Sequence, residues 1–397
     1  MVTGFRQAAA ELREDLVALR RRLHATPETG LELPATQSTV LEALDGLDLE
    51  IGTGTGLSSI TAVLRGGRPG PVVLLRSDMD ALPVTEATGL PFASGNGAMH
   101  ACGHDLHMAG LVGAARLLAD RRADLPGTVV FMFQPGEEGY AGGRIMISEG
   151  VLEAAGELPV AAYAVHVDCV TPRGLVVTRP GPVMASASGL RIRVTGTGGH
   201  PAFPQHAIDP VPVASEIVLA VQTFAARRVP ATDAAVMSVT SIRSDAEAVN
   251  VLASRVDLAV NIRTLSPPTL RLVREQLPAL VTAIGGAHGA TVETTWTDSY
   301  PVTVNDPAET AAALGVLREL HGPLVVPMPE PSMASEDFAY VLEQVPGTLV
   351  FLGVRPDDVA DGDAAPMHSE RATFDDGLLD VQAALLAELA WRRLANH

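Results

Sequence analysis

Between residues 60 and 170 short apolar runs alternate with longer amphipathic ones. "SSITAVLRG", "PVVLLRSD", "GTVVFMFQ" and "VAAYAVHV" read as strands, and "HMAGLVGAARLLADRR" reads as the helix between two of them. Such alternation predicts an α/β fold whose central sheet is flanked by helices. The rhythm then changes. "GLRIRVTGTG" alternates with period two, "PVPVASEIVLAVQTFAARR" is helical, "AAVMSVTSIRS" and "ASRVDLAVNIRTL" are strands, "TLRLVREQLPALVTAIGG" is helical and "ATVETTWTD" closes the series. The order βαββαβ is that of a ferredoxin-like α+β unit, an antiparallel four-stranded sheet with both helices on one face. It is expected over residues 184–298 as an insertion, because "DPAETAAALGVLRELHG", "GTLVFLGVRP" and "DDGLLDVQAALLAELAWRRL" resume the first pattern. The first domain is therefore expected in two pieces, 1–183 and 299–397.

Composition narrows the function. A length of 397 residues exceeds what one core usually serves, and 47% hydrophobic with 19% charged residues is a folded composition. Lys and Arg number 28 against 46 Asp and Glu, a formal charge of −18, so nucleic acid and anionic membrane are poor partners. No apolar run reaches the roughly 18 residues of a membrane span, and the N-terminal stretch lacks the apolar core of a signal peptide. Two cysteines make no disulfide framework, which points to the cytoplasm.

In an open α/β sheet, ligands gather beyond the carboxyl ends of the strands. There the sequence places Asp78 and Asp80 after "VVLL", Glu137 and Glu138 after "VVFMF", and His166 after "AAYAV". Cys102 and His104 stand just before a helix whose start points the same way. Thiolate, imidazole and carboxylate together are the ligand set of zinc and its neighbours. A lone cysteine is ordinarily a small buried hydrophobe, but His104 two residues away and the strand-end groups argue for a metal site. Of two adjacent glutamates beyond a strand, one can bind metal while the other takes a proton from water, the division of labour that metal-assisted hydrolysis requires.

"RSDMDALPVTEATGLPFAS", "MHACGHDLHMAGLVGAARLL", "FQPGEEG", "GTGGHPAFPQHAIDPV" and "SEDFAYVLEQVPGTLVFLG" occur in this order. Together they resemble the M20 metallopeptidase superfamily, specifically its amidohydrolase branch of aminoacylases, hippurate hydrolases and auxin-conjugate hydrolases, from about residue 15 to 390. The resemblance implies a catalytic domain and an inserted lid and dimerisation domain. It implies two divalent metal ions, of zinc, manganese, nickel or cobalt, on Cys102, His104, Glu138, His166 and His368. Glu137 matches the general base, and Asp80 an orienting group behind the ligands. In the insertion, His200 matches a histidine that stabilises the tetrahedral oxyanion, often from the neighbouring subunit of a homodimer. Asn250 and Arg263 match positions that hold a substrate α-carboxylate, for which an Arg fork has the right shape. Ser77 and Asp78 stand where the peptidase branches begin an "HxD" motif, a departure that favours the amidohydrolase branch.

The resemblance implies hydrolysis of the amide bond of N-acyl amino acids or related conjugates. A dipeptidase of the same superfamily would use the same residues, and a metal-dependent small-molecule binder without turnover would have no need of Glu137. Ser335, Glu336 and Asp337 suggest a serine triad, but no "GxSxG" elbow is present. His100, His107 and His206 are read as structural or as supporting the ligands from behind, not as ligands, and Cys169 as packing.

Overall fold

The apolar runs that lead into acidic residues and histidine all belong to one sheet. The structure, a computed structural model, describes residues 4–396, the side chain of Ser299 excepted. In chain order it opens with α1 (Arg6–Ala25), α2 (Pro34–Leu44), β1 (Glu50–Thr53), β2 (Ile60–Arg65), β3 (Arg68–Asp78), α3 (His104–Asp120), β4 (Pro126–Gln134), α4 (Gly142–Ser148), β5 (Ala161–Asp168), β6 (Val176–Thr178) and β7 (Gly181–Met184). Next come β8 (Ala187–Thr195), α5 (Pro210–Arg228), β9 (Ala235–Ser244), β10 (Arg255–Thr264), α6 (Pro267–Ala287) and β11 (Thr291–Tyr300). The chain closes with β12 (Thr303–Asn305), α7 (Pro307–His321), β13 (Val325–Pro327), α8 (Ala339–Leu342), β14 (Gly347–Gly353) and α9 (Leu379–Ala395).

Two compact units result. The smaller comprises Met184–Thr303 with Pro331–Glu336, and the larger is formed by the rest of the described chain. The larger unit holds an eight-stranded sheet in the order β1-β2-β4-β3-β5-β14-β6-β13. Its centre is parallel, with β3 between β4 and β5 and β14 beside β5, while β2 joins β4 antiparallel. The central strands are buried along most of their length, as parallel strands covered by helices must be. The expected α/β class is therefore found, with the sheet mixed and wider than the five strand runs suggested.

Helices α1, α3 and α9 pack on one another and supply much of the larger core, including Leu16, Leu111, Ala115, Leu385 and Leu386. Close approach depends on Gly113 of α3: a Cβ there would stand 2.7 Å from the Ala383 side chain and 2.8 Å from that of Leu16. That packing sets α3, and so the position of its first turn.

In the smaller unit the sheet order is β11-β8-β10-β9, all neighbours antiparallel, which is the ferredoxin-like arrangement. Strand β10 alternates strictly, with Val256, Leu258, Val260 and Ile262 turned toward α5 and α6 and Asp257, Ala259, Asn261 and Arg263 on the open face. Both helices, like α7, begin at an acceptor followed by proline: Asp209 takes the Val211 amide, Ser266 that of Thr269, and Asp306 those of Ala308 and Glu309. Among the described residues no helix is long and apolar enough to cross a membrane.

Gly103 precedes the first residue of α3 at φ 82°, a left-handed conformation that costs a residue with a side chain roughly 1–2 kcal/mol. A Cβ on it would also lie 2.4 Å from the Val167 side chain. Gly103→Ala should lower stability by about 2 to 4 kcal/mol from backbone strain plus overpacking, read as a fall in melting temperature. An unchanged melting temperature would show that the loop before α3 is not fixed by this residue.

Candidate active site

Five segments of the larger unit converge at the carboxyl edge of its sheet. β3 ends at Asp78 and delivers Asp80 two residues later, β4 leads through a Pro-Gly turn to Glu137 and Glu138, and β5 carries His166 near its end. The first turn of α3 brings Cys102 and His104, and the loop before α9 brings His368. His368 has φ 68° and its amide donates to the Ala101 carbonyl at 2.9 Å, so a strained backbone ties it to the loop of Cys102.

Their donor atoms form two overlapping groups. Cys102, His104 and His166 make one and Cys102, Glu138 and His368 the other, in each case with all candidate ligand atoms within 4.8 Å of one another. A third group joins His104 to Glu137 and Glu138. Cys102 Sγ lies 3.8 Å from His166 Nε2, and Glu138 Oε1 lies 3.3 Å from His368 Nε2. All five residues expected to hold metal are thus brought together, with the thiol common to both groups.

The ring nitrogens are sorted by the backbone. His104 Nδ1 donates to the Asp80 carbonyl at 2.7 Å, and His166 Nδ1 donates to the Val167 carbonyl at 2.7 Å. Each imidazole therefore turns its Nε2 lone pair into the cluster, the usual way a ligating histidine is oriented. Asp80 does more than the sequence suggested: its two carboxylate oxygens accept the amides of Glu137 at 2.9 Å and Glu138 at 3.0 Å. Holding consecutive amides on one carboxylate fixes the turn from which both glutamate side chains reach the cluster.

These residues fit a cationic guest. His104 Nε2 is buried with no hydrogen-bond partner, which protein interiors rarely tolerate, and buried Glu138 Oε1 makes no well-formed hydrogen bond although His368 Nε2 lies 3.3 Å away. Burial disfavours a charged His104, yet Asp78, Asp80 and Glu138 around it push its pKa up to about 10. A pocket that forces a proton onto a buried imidazole is short of positive charge, and divalent cations on these donors would supply it.

A family model described as peptidase family M20/M25/M40 matches residues 74–392. The chain belongs to this family. It is 34% identical over 395 residues to thermostable carboxypeptidase 1 of Saccharolobus solfataricus, covering 98% of each. It is also 34% identical to N-acetylcysteine deacetylase of Bacillus subtilis, covering 94% of this chain and 96% of that one. Among solved structures, a Bacillus subtilis protein described as a dinuclear metal-binding peptidase of the M20 family superposes with a TM-score of 0.84 at 32% identity, covering 98% of this chain and 99% of that chain.

Within this M20 chain, the other sequence candidates lie in the smaller unit. His200 is exposed, its Nδ1 accepting the Ala202 amide at 3.1 Å, beside the ring of Phe203. Arg263, on the open face of β10, donates from Nη1 to Ser335 Oγ at 2.8 Å and from Nε to Asn261 Oδ1 at 3.3 Å. It is half-buried, and burial lowers its pKa. No salt bridge joins it to a carboxylate among the described residues. Asn250 lies on the exposed connection between β9 and β10 and shares no hydrogen bond with Arg263, whose amide neighbour is Asn261 instead. Ser335 thus serves Arg263, not a serine triad.

Of the residues read as structural, His206 is exposed and Cys169 is packed beside Met367, its thiol donating to the Ala365 carbonyl. Burial pushes the Cys169 thiol up to about 12. His100 is buried with both nitrogens unpartnered, and that burial lowers its pKa to about 3. The sequence reading missed a buried set behind the site: Arg76, Gln134 and Asp337. The available signal was Arg76 itself, since an arginine inside an apolar, continuously buried parallel strand needs buried acceptors.

Cys102→Ala removes the donor common to both groups, so metal content after dialysis should fall toward none per chain, while Cys169→Ala should match the unaltered protein. Elemental analysis decides it; full occupancy in Cys102→Ala would remove the thiolate from the site.

Proposed function

We propose that this chain is a metal-dependent amidohydrolase that cleaves the amide bond of N-acyl amino acids or related conjugates. The observation that carries the reading is the pair of donor groups sharing Cys102, with Glu137 against the same cluster and held by Asp80. Two divalent ions, zinc, manganese, nickel or cobalt, held by Cys102, His104, Glu138, His166 and His368, would polarise the amide carbonyl and lower the pKa of water toward about 7. Glu137 takes the proton from the attacking water and returns it to the leaving amine, a role that requires a carboxylate outside the ligand set. His200 donates to the oxygen that gains charge as the carbonyl becomes tetrahedral. Arg263, kept half-buried without a carboxylate partner, receives the substrate α-carboxylate, with Asn250 assisting.

The relative named as a carboxypeptidase favours a second reading, peptide hydrolysis by the same groups. Metal-loaded protein should turn over acetyl-, benzoyl- or longer N-acyl amino acids in preference to dipeptides. Arg263→Ala should raise KM for substrates with a free carboxylate by about 10- to 100-fold with a smaller effect on kcat, as expected for a charge-assisted hydrogen bond worth roughly 1.5–3 kcal/mol. Turnover of dipeptides alone would select the second reading, and no turnover of either class would reject both.

We further propose a homodimer through the smaller unit. β9 has a free edge there, and Val236, Ile242, Val249 and Val251 on or after it, with Val211 and Leu219 on α5, are large apolar side chains left exposed. An open strand edge beside exposed apolar residues is a surface suited to a second copy. If His200 acts across such a dimer, mixing inactive Glu137→Gln with inactive His200→Ala subunits should restore about half of the activity per mixed dimer, roughly a quarter for a random equal mixture, since one composite site of each mixed dimer is intact. No recovery despite demonstrated subunit exchange would place His200 in its own chain's site or in none.

A further inference from the structure

We propose that Asp78 is a positioning residue of the candidate metal centre, acting through His107 to fix the end of β5 that carries His166. The inference rests on the metal-binding reading given above.

The argument begins with an atom that has only one possible role. The Val167 amide donates to His107 Nε2 at 2.8 Å, so that nitrogen must present its lone pair. The proton of the neutral ring then sits on Nδ1, which lies 2.5 Å from Asp78 Oδ1 and donates to it. His107 is left with no lone pair for a metal, although it stands among the ligands, 4.7 Å from the His166 ring and 5.4 Å from the His104 ring between centroids.

The same Val167 peptide is gripped on its other side. Its carbonyl accepts from His166 Nδ1, so one imidazole holds the amide, a second holds the carbonyl, and the second is a candidate ligand. A shift of His107 would move the peptide that orients His166.

Asp78 is in turn held from behind. Its Oδ2 accepts Arg76 Nη1 at 2.8 Å, Arg76 Nη2 donates to Asp337 Oδ1 at 2.8 Å and Arg76 Nε to Gln134 Oε1 at 3.0 Å. Asp337 also accepts from Gln134 Nε2 and the Gly143 amide. Arg76, Asp78, His107, Gln134 and Asp337 are all buried, so each polar contact is made in the absence of competing water and fixes the next. A structural salt bridge would need only Arg76 and Asp78; the unbroken line to Val167 is what assigns Asp78 to the metal site.

Asp78→Asn tests the line chemically. Arg76 and the His107 Nδ1 both present N–H groups, whereas an amide has one accepting end and one donating end. Either the new NH2 faces Arg76, or it forces His107 into the other tautomer and points Nε2–H at the Val167 amide. Cobalt(II) binding, followed by chelator competition and by the thiolate-to-cobalt and ligand-field absorption bands, reads the outcome without substrate. We expect Asp78→Asn and His107→Leu to bind cobalt(II) about 10- to 100-fold more weakly with altered bands, the range for loss of a group that orients a ligand. His107→Gln offers a carbonyl to Val167 and an N–H to Asp78, and should stay within about threefold of the unaltered protein. Should Asp78→Asn fail to fold, the His107→Gln and His107→Leu pair decides. Unaltered affinity and bands in Asp78→Asn, or equal loss in both His107 variants, would overturn the proposal. Absence of cobalt(II) binding by the unaltered protein would instead overturn the metal-centre reading on which it rests.

Discussion

The carboxylate of Asp80 is the contact on which the candidate site depends. One side chain accepts the amides of both Glu137 and Glu138, and the carbonyl of the same residue accepts from His104 Nδ1. Three groups of the candidate site, the proposed base Glu137 and the candidate donors Glu138 and His104, are therefore referenced to one point two residues beyond the end of β3. The turn also closes on itself, through the Gly139 amide to the Glu137 carbonyl at 2.7 Å and the Gly142 amide to the Gly136 carbonyl at 3.0 Å, and Asp80 adds the bonds that anchor both glutamate amides to the end of β3. The packing of α3 on α9 and α1 supplies the complementary constraint, setting the helix whose first turn brings the thiol and imidazole to meet them.

Charge explains why so polar a cluster survives in the interior. Buried carboxylates are costly unless paired, and here Asp78 has Arg76 and His107, Asp80 has backbone amides, and Asp105 has Arg20 and His24. Burial would raise the pKa of Asp105, but Arg20 and His24 outweigh it and hold the carboxyl far below its usual range. Each of these anions is compensated within the protein. Glu138 and His104 each keep a buried atom without a hydrogen-bond partner, and those two atoms face the same cluster.

Much of this was readable in the residues. The strand-end positions of Asp78, Asp80, Glu137, Glu138 and His166 follow from short apolar runs, and the βαββαβ series follows from a change of period, because both patterns are local. The width of the large sheet was not readable: β1, β6 and β13 are only three or four residues long and carry too few alternations to show. Nor was the pairing of Arg263 with Asn261 and Ser335, since proximity across distant segments leaves no periodic trace. His107 is legible only as structural or as a support behind the ligands, and its connection through Asp78 to Arg76 and Asp337 joins residues whose separation in the chain hides them.

The donors of the two groups are spread unevenly along the polypeptide. Cys102, His104, Glu138 and His166 come early, whereas His368 follows the whole βαββαβ unit and is fastened to Ala101 by its amide. At roughly 5–20 residues per second of synthesis, tens of seconds separate the emergence of Cys102 from that of His368. During that interval the ribosome-bound chain exposes a thiol and two imidazoles as an incomplete chelate, open to stray soft metals and to oxidation. The two donor groups are therefore completed only when the last of these segments has folded back onto the loop of Cys102.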